Sequence, residues 1–459
     1  MSIDNLFNPE ILILLGFLFI GGVLLLFLIS RNFTAGIYLW LLAVLFFKYN
    51  RITIEGSMLP DFSIDRMLFV MLMFIFAAEA LVRKRRIFSF TAIEYSMFLF
   101  CAFAVMSMIY SGFIIKEGGR LRIGELLTGF ILPFFMFFAA KNTYDTYEKR
   151  EGFIKFMIAI GLYLSFTAVF EHFRIEQLVF PKFILDPGFG IHMGRARGPF
   201  GQAAVNGTVL GFALASSAYF TFNYRRSRLW RFFSFALLVL TPAAIFFTYT
   251  RAAWLGALAG FAIIMTVGLK EKQKAAAIVL TLLCIAVVLG ASFFMDTSSA
   301  ELALDRTRDQ SPVYDRLNLY IASINMFASS PLSGVGFGKF SDNAPDYFEN
   351  VSGIPYQDSE IKQHDTFTAV LAEMGLAGIS LILCIFISIL SKSIKLYRRL
   401  SVSNSAERRL VVIFWGFMAV YIVNSVFIEM RYFEFVNAIF FVFAGLICRR
   451  EMEYADKAY

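Results

Sequence analysis

One histidine and a few arginines are the side chains best suited to chemistry in a chain that is otherwise apolar. His364 ends a long polar stretch, residues 296–364, and directly precedes an apolar run. Asp365 or Thr366 is a good N-cap for a helix that begins there. The imidazole would then lie beside a helix N-terminus, where the positive end of the dipole disfavours protonation. Because a neutral imidazole can act as a general base, His364 is the candidate catalytic residue.

Arginines in two other segments are candidates for binding an anion. Arg195 and Arg197 stand in the irregular stretch 194–202, where glycines and a proline let backbone approach a ligand closely. A guanidinium is a planar fork that suits bidentate recognition of phosphate. Arg251 lies in a hinge so short that it must stay close to the membrane surface. For Arg195 and Arg197 the alternative is that their side chains snorkel to the membrane interface. For Arg251 the alternative is that it pairs with lipid headgroups while Trp254 anchors the interface.

The polar stretch 296–364 contains a predicted helix and a glycine-rich turn. Apolar residues recur there at helical spacing, at Val313, Leu317, Ile321 and Ile324. The spacing predicts an amphipathic helix over 313–328 that lies on the membrane or on the bundle, with Arg316 beside its apolar stripe. Glycines then alternate in 331–338, but a helix precedes them and nothing suggests a βαβ unit, so a tight turn is favoured over a dinucleotide site.

Three more residues could support such a site. Glu373 lies about two turns into the apolar run that follows His364. A carboxylate inside a membrane is a functional candidate by default, although a structural hydrogen bond to a neighbouring helix explains it equally well. Gly375, with Gly378, is expected to give this helix a smooth strip for close packing. Asn206 stands at the start of another apolar run.

The composition predicts a polytopic membrane protein. Hydrophobic residues make up 58% of 459 positions, 56 of them Phe, and only 17% are charged; the mean hydropathy is +0.68. A helix needs ~20 apolar residues to cross a hydrocarbon layer of ~30 Å. Runs of roughly that size lie near 11–30, 35–49, 67–82, 95–115, 124–140, 153–170, 203–222, 232–249, 252–269, 275–294, 366–391, 410–429 and 433–448. We therefore predict an all-α transmembrane bundle of about 12–13 spans, a single integral membrane domain over 1–459.

The positive charges predict how the bundle is oriented. Basic residues concentrate in alternate hinges, near 83–86, 141–150, 225–228, 270–274, 392–399 and 449–450. The positive-inside rule assigns these hinges to the cytoplasm and therefore assigns Arg251 and the loop 296–364 to the outer face; Lys116, Arg120 and Arg122 run against this pattern. The net charge of +8 is thus mainly a topology signal. Binding to nucleic acid, which needs basic residues gathered on one face, is disfavoured.

The N-terminal residues and the cysteines bear on signal-peptide cleavage, disulfide bonds and metal binding. Residues 1–10 lack the basic region of a cleavable signal peptide, so the first run is expected to be a retained span. The cysteines all lie in or at the edge of apolar runs without paired spacing, at Cys101, Cys284, Cys384 and Cys448. This placement disfavours both a disulfide framework and a Cys-based metal site. No Asp-x-Asp motif or His cluster predicts a metal on the outer face.

In their order and spacing, these segments resemble the O-antigen ligase and polymerase superfamily, which comprises bacterial inner-membrane glycosyltransferases of the C-type architecture. The resemblance covers about 190–380, and the family often has 12 spans where 13 are counted here. It is carried by Arg197-Gly198-Pro199-Phe200 with Asn206, Thr250-Arg251-Ala252-Ala253-Trp254-Leu255, Tyr314-Asp315-Arg316, Pro331-Leu332-Ser333-Gly334-Val335-Gly336, His364-Asp365-Thr366-Phe367 and Glu373-Met374-Gly375-Leu376-Ala377-Gly378.

The resemblance implies transfer of a glycan from an undecaprenyl-diphosphate carrier to an acceptor hydroxyl on the periplasmic face, without a cofactor. His364 would activate the acceptor, while Arg197 and Arg316, with Arg251 and Arg195, would hold the diphosphate. Guanidinium groups that stabilise the developing negative charge can replace a metal. The product would be a surface polysaccharide, whether lipopolysaccharide O-antigen or exopolysaccharide. The acceptor would be a second glycan for a polymerase, and lipid A core or protein for a ligase.

A flippase for lipid-linked glycans, or another polysaccharide transporter, is the alternative. A transporter should carry polar residues along a path at mid-membrane depth, often on broken helices. In this sequence the arginines gather at one face and few polar residues lie deep, which favours the enzyme. A purely structural scaffold would leave the His and Arg constellation unexplained.

Overall fold

The structure is a computed structural model, and it is helical almost throughout the part that it describes. It describes residues 29–47, 51–52, 62–82, 90–112, 123–222, 227–268, 311–348, 361–401 and 405–456, with positions 275 and 278. The strands in these ranges are a two-residue antiparallel pair, β1 (Arg51–Ile52) and β2 (Phe62–Ser63). The prediction of an all-α fold is confirmed.

Thirteen helices can be numbered along these ranges. They are α1 (Phe33–Phe47), α2 (Ile64–Val82), α3 (Ala92–Ser111), α4 (Ile123–Thr143), α5 (Tyr147–His172), α6 (Ala203–Thr221), α7 (Arg228–Phe246), α8 (Arg251–Gly268), α9 (Ser311–Ser329), α10 (Phe340–Asn343), α11 (Thr366–Arg399), α12 (Ser405–Ser425) and α13 (Glu434–Asp456). Short 3₁₀ turns lie at Glu176–Leu178, Lys182–Leu185, Gly198–Phe200, Ala344–Tyr347 and Met430–Tyr432. Single π turns lie inside α4 and α8.

Seven of these helices, α3 to α8 and α11, are long and apolar enough to cross a membrane. Each coincides with a predicted run, which confirms those runs as helices. The predicted runs at 35–49, 67–82, 410–429 and 433–448 are also helical, as α1, α2, α12 and α13, but α1 has only 15 residues. The runs 11–30 and 275–294 lie almost entirely outside the described residues, so the total of 12–13 spans stays a prediction.

The described residues form two compact units. In the first, which comprises 29–82 and 142–144, α1 packs against α2. The buried Trp40 donates from its indole N–H to the carbonyl of Asp65 at 3.0 Å, which fixes the start of α2. The second unit comprises 90–141 and 145–456, and it contains every residue predicted for the site.

Helix α6 is the centre of the second unit, with contacts to α5, α7, α8 and α12. Nearly all of its residues are buried, which its small side chains allow. A Cβ atom on Gly207 would lie 2.4 Å from the Cβ of Ala253 in α8, and one on Gly211 would lie 2.9 Å from Val420 in α12. This close packing fixes the start of α8, where Arg251 stands.

The predicted amphipathic helix exists as α9, and it lies on the bundle. Its buried face, however, is formed by Leu319, Ala322 and Met326, which pack with α10 and with α11. Leu317 and Ile324, two residues of the predicted stripe, are 39% and 38% exposed. The predicted stripe is therefore not the face that packs against the bundle. Helix α9 has two apolar faces, and the face with the small Ala322 is the one that comes close to α11.

Helix α11 is interrupted at Gly375, whose φ of 59° and ψ of −157° are not helical. The turn 331–336 makes four backbone hydrogen bonds with 372–377, on both sides of the interruption, with N···O distances from 2.8 to 3.2 Å. The turn thereby satisfies backbone groups that the broken helix leaves open. Gly375 allows close packing as expected, but it does so at an interruption of the helix and not in a smooth helical strip. A Cβ there would lie 2.6 Å from the backbone of Leu332, so glycine permits the turn to dock.

Candidate active site

The backbone at His364 is fixed by the start of α11. Asp365 is the N-cap: its carboxylate accepts from the backbone N–H of Phe367 at 2.7 Å and of Thr368 at 3.2 Å. This confirms the predicted cap. Burial raises the pKa of the Asp365 carboxyl, and the two N–H donors partly oppose that rise. His364 is half-buried at the mouth of the helix.

A buried glutamine ties His364 to α9. The side-chain oxygen of Gln363 accepts from the backbone N–H of His364 at 2.7 Å. Its amide group donates to the carbonyl of Leu319 at 3.3 Å and to the hydroxyl of Ser323. Arg316 lies one turn before Leu319 on the same helix. The contact therefore brings the predicted base and one predicted anion-binding arginine into the same neighbourhood.

The charges of Arg316 and Arg251 act on each other although the two residues are far apart in the chain. Both residues are exposed. Neighbouring atoms nevertheless desolvate the Arg316 guanidinium, which lowers its pKa, and the positive charge of Arg251 lowers it further. Within the ranges described above, neither guanidinium has a carboxylate partner. Two like charges that repel each other and have no acid partner favour an anion beside them.

Arg197 has a different environment from the one predicted. It is 2% exposed, and its guanidinium donates to the carbonyls of Phe189 at 2.5 Å and Ile184 at 3.0 Å. It also reaches the carbonyl of Asp186 and the sulfur of Met193. These bonds hold the loop between α5 and α6 together. A direct contact of Arg197 with a diphosphate would require them to open.

Arg195 lies in the same loop but is only partly buried, and its Nε atom is enclosed without a hydrogen-bond partner. The following residue, Ala196, donates its N–H to the carbonyl of Phe247 at 3.0 Å. The fully buried Asn206 donates to the Ala196 carbonyl at 3.1 Å. Asn206 thus holds the arginine-bearing loop against the end of α7, next to the hinge that leads into Arg251.

The sequence did not point to Arg431, which is the partner of Glu373. Arg431 lies between α12 and α13, is 3% exposed, and forms ion pairs with Glu373 at 2.7 Å, Glu125 at 3.3 Å and Glu429. Glu373 also accepts from the backbone N–H of Phe340 at 3.2 Å. The geometry favours the structural alternative for Glu373. The available signal was the Glu-x-Arg pattern in a short gap between two apolar runs, where a charge needs a partner.

An apolar groove lies between α7 and α8, whose first residue is Arg251. It encloses about 160 Å³, and its lining includes Phe246, Trp254, Leu258 and Phe261. The rings of Phe246 and Trp254 stack with centroids 5.4 Å apart. Leu258 is two turns below Arg251 on the same side of α8. A charged group at Arg251 and an apolar chain in the groove could therefore belong to one amphiphilic ligand.

Four of the predicted residues, His364, Arg316, Arg251 and Arg195, therefore lie at one end of the second unit, where α8 and α11 begin and α7 ends. Arg197 and Asn206 support this end from within the loop, and Glu373 lies beneath it. The parts of the chain that the structure describes contain no group of three or more His, Cys, Asp or Glu side chains that could hold a metal.

One family model matches part of the chain. Residues 236–383 match the family model described as O-antigen ligase. The matched range contains Arg251, Arg316 and His364, whereas Arg195, Arg197 and Asn206 precede it. This match confirms the resemblance to the O-antigen ligase family that the sequence shows. Among curated proteins, no match to the chain was found.

Proposed function

From the O-antigen ligase match, we propose that this chain transfers a glycan from an undecaprenyl-diphosphate carrier to an acceptor hydroxyl, on the periplasmic face of a bacterial inner membrane. The observation that carries the proposal is that the positive charge of Arg251 acts on the exposed guanidinium of Arg316, while neither residue pairs with an acid among the described residues. The pair offers the charge that a diphosphate needs. The link from Gln363 to α9 keeps His364 nearby.

The proposed reaction is a single displacement at the anomeric carbon of the donor. His364 accepts the proton of the acceptor hydroxyl as its oxygen forms a bond to that carbon. The bond from the carbon to the diphosphate oxygen breaks, and undecaprenyl diphosphate leaves with the electron pair. Arg251 and Arg316, with the free Nε of Arg195, stabilise the charge that develops on the leaving group. A positioned base usually contributes ~10²–10⁴-fold to such a rate.

The groove beside Arg251 supports a lipid-linked donor over a soluble nucleotide sugar. Its lining is apolar, and Leu258 is 60% exposed towards the space that an isoprenoid chain would occupy. With the diphosphate at Arg251, the isoprenoid of the donor would extend into the groove and the glycan would point away from the membrane. The acceptor is then a second lipid-linked glycan in a polymerase, or lipid A core or protein in a ligase.

Substitutions of His364 and Arg316 test the two halves of this mechanism separately. We expect His364→Ala to lower transfer ~10²–10⁴-fold while donor affinity stays near wild type, because the base acts on the acceptor. His364→Gln, similar in reach but unable to take the proton, should be nearly as inactive. Arg316→Ala should weaken donor binding, and Arg316→Lys should restore it only partly, since a point charge loses the bidentate geometry.

The measurements are transfer from a purified lipid-linked donor and the affinity for that donor, with the full chain in detergent. Arg228→Ala is the matched control, because Arg228 is an exposed arginine at the opposite end of α7. A His364→Gln variant with the wild-type rate would remove the general base. Unchanged donor affinity in Arg316→Ala would remove the diphosphate site.

A further inference from the structure

A large cleft lies apart from the arginine pair, between the end of α3 and the turn 331–336. It encloses about 710 Å³, within the size range of pockets that hold small organic ligands. One wall is the last two turns of α3, from Phe103 to Ser111. The other is formed by Ser330, the turn and the short helix α10.

The polar groups of this cleft are neutral or paired. Hydroxyl groups line both walls, from Ser107 and Ser111 on α3 and from Ser330 and Ser333 at the turn. The two charged residues, Lys339 and Asp342, neutralise each other in an ion pair of 3.2 Å. Among the described residues that line it, the cleft therefore has no excess positive charge of the kind that the two arginines have. Its ligand should be uncharged and rich in groups that donate and accept hydrogen bonds.

Aromatic side chains stand beside these hydroxyls. Tyr110 is 96% exposed at the rim, and Phe103 lies two turns deeper along α3. A sugar ring has hydroxyl groups at its edge and apolar C–H groups on its faces. A site for it needs an aromatic surface next to polar groups, a combination that an acyl chain or an inorganic anion would not use.

The cleft shares a wall with the helix that carries the candidate base. The turn 331–336 is bonded to 372–377 of α11, which begins directly after His364. On its other side the turn touches α3, because a Cβ on Gly336 would lie 2.4 Å from the Ser111 hydroxyl. The turn thus joins the cleft to α11 through backbone hydrogen bonds.

We propose that this cleft binds uncharged sugar residues of the glycan substrate, at a subsite separate from the one that holds the diphosphate. The inference rests on the proposed function, since it supplies a place for the part of a glycan that neither Arg251 nor Arg316 would contact. Sugar recognition then depends on Tyr110 and on the serines of the cleft, while the charge of the donor is recognised elsewhere.

The test uses a free oligosaccharide repeat unit, released from the producing cell's surface polysaccharide and lacking both lipid and diphosphate. Its binding to the full chain in detergent is measured by calorimetry. Tyr110→Ala should weaken binding by roughly 2- to 10-fold, the size of one aromatic contact. Ser333→Trp, at an exposed position, should weaken it by filling the cleft. The control is Tyr95→Ala, because Tyr95 is another exposed tyrosine near the opposite end of α3, 58% accessible.

The affinity for undecaprenyl diphosphate without sugar, measured on the same variants, should not change. Wild-type protein that fails to bind the oligosaccharide, or variants that bind it as wild type does, would overturn the inference even where glycan transfer is intact. Loss of transfer in all preparations, with oligosaccharide binding preserved and sensitive to Tyr110, would instead contradict the proposed reaction and leave the sugar subsite standing.

Discussion

Replacement of Gly375 by alanine should destabilise the protein and inactivate it, although no side chain of the proposed chemistry is removed. The backbone there, at φ 59° and ψ −157°, is in a region that is essentially restricted to glycine. Forcing another residue into it costs about 1–3 kcal/mol. The new Cβ would also lie 2.6 Å from backbone atoms of Leu332, which cannot move without the turn 331–336.

The second contribution comes from the hydrogen bonds between that turn and 372–377. If the turn shifts enough to lose half of them, the loss at a net ~0.5–1.5 kcal/mol for each is about 1–3 kcal/mol. The total is about 2–6 kcal/mol, large for a single substitution. Because the turn forms one wall of the cleft beside Tyr110, we expect oligosaccharide binding to fall as well.

The assay is thermal unfolding of the purified full chain, together with glycan transfer. Gly124→Ala is the matched control, since Gly124 is helical and a Cβ there meets nothing within 4 Å. That change should be neutral or stabilising by up to ~1 kcal/mol. A Gly375→Ala protein that melts and transfers glycan like Gly124→Ala would refute the argument that the interruption of α11 requires glycine.

Three further predictions concern the groove, the N-cap and the loop. Leu258→Trp should fill the groove and weaken binding of the long-chain carrier but not of a short-chain analogue, whereas Leu255→Trp, on an exposed leucine outside its lining, should change neither affinity. Asp365→Asn keeps the cap. Burial raises the pKa of the Asp365 carboxyl, so ionising it costs more in the folded than in the unfolded protein. The melting temperature of wild type should therefore fall relative to that of Asp365→Asn as pH rises from about 4 to 7. A difference that changes in the opposite direction would contradict this. Arg197→Lys cannot reproduce the contacts of a guanidinium with several carbonyls, so it should lower the melting temperature of the protein as well as its donor affinity. A variant that melts normally but no longer binds the donor would indicate that Arg197 contacts the donor directly.

Local patterns in the sequence were sufficient for the helices and for the cap at Asp365, because apolar length and a capping side chain act within a few residues of the chain. The side of α9 that faces the bundle was not predictable in this way. Its sequence has two apolar faces, and the choice between them depends on the shape of α11. The short hinge identified Arg251 as a candidate and the family resemblance identified Arg316, but nothing in the sequence indicated that their charges would act on each other.

Arg197 shows a second limit of sequence reasoning. An arginine among glycines has the same pattern whether its guanidinium meets a ligand or the carbonyls of its own loop. The partners decide between these roles, and they lie at Ile184 and Phe189. Arg431 shows a third limit of sequence reasoning. The carboxylates that surround it come from α4, from α11 and from the segment between α12 and α13, and no local sequence pattern connects these three places.

The ion pairs of Arg431 with Glu125, Glu373 and Glu429 have a consequence for how this protein can diverge. Removal of one member of a buried ionic cluster typically costs ~3–5 kcal/mol, whereas replacement of the whole cluster by well-packed apolar residues is often neutral or stabilising. A single mutation from charged to apolar at one of these positions would therefore be selected against, although the end point with all four changed is acceptable. Homologous lineages should retain the four charges together or lack them together, and intermediate genotypes should be rare.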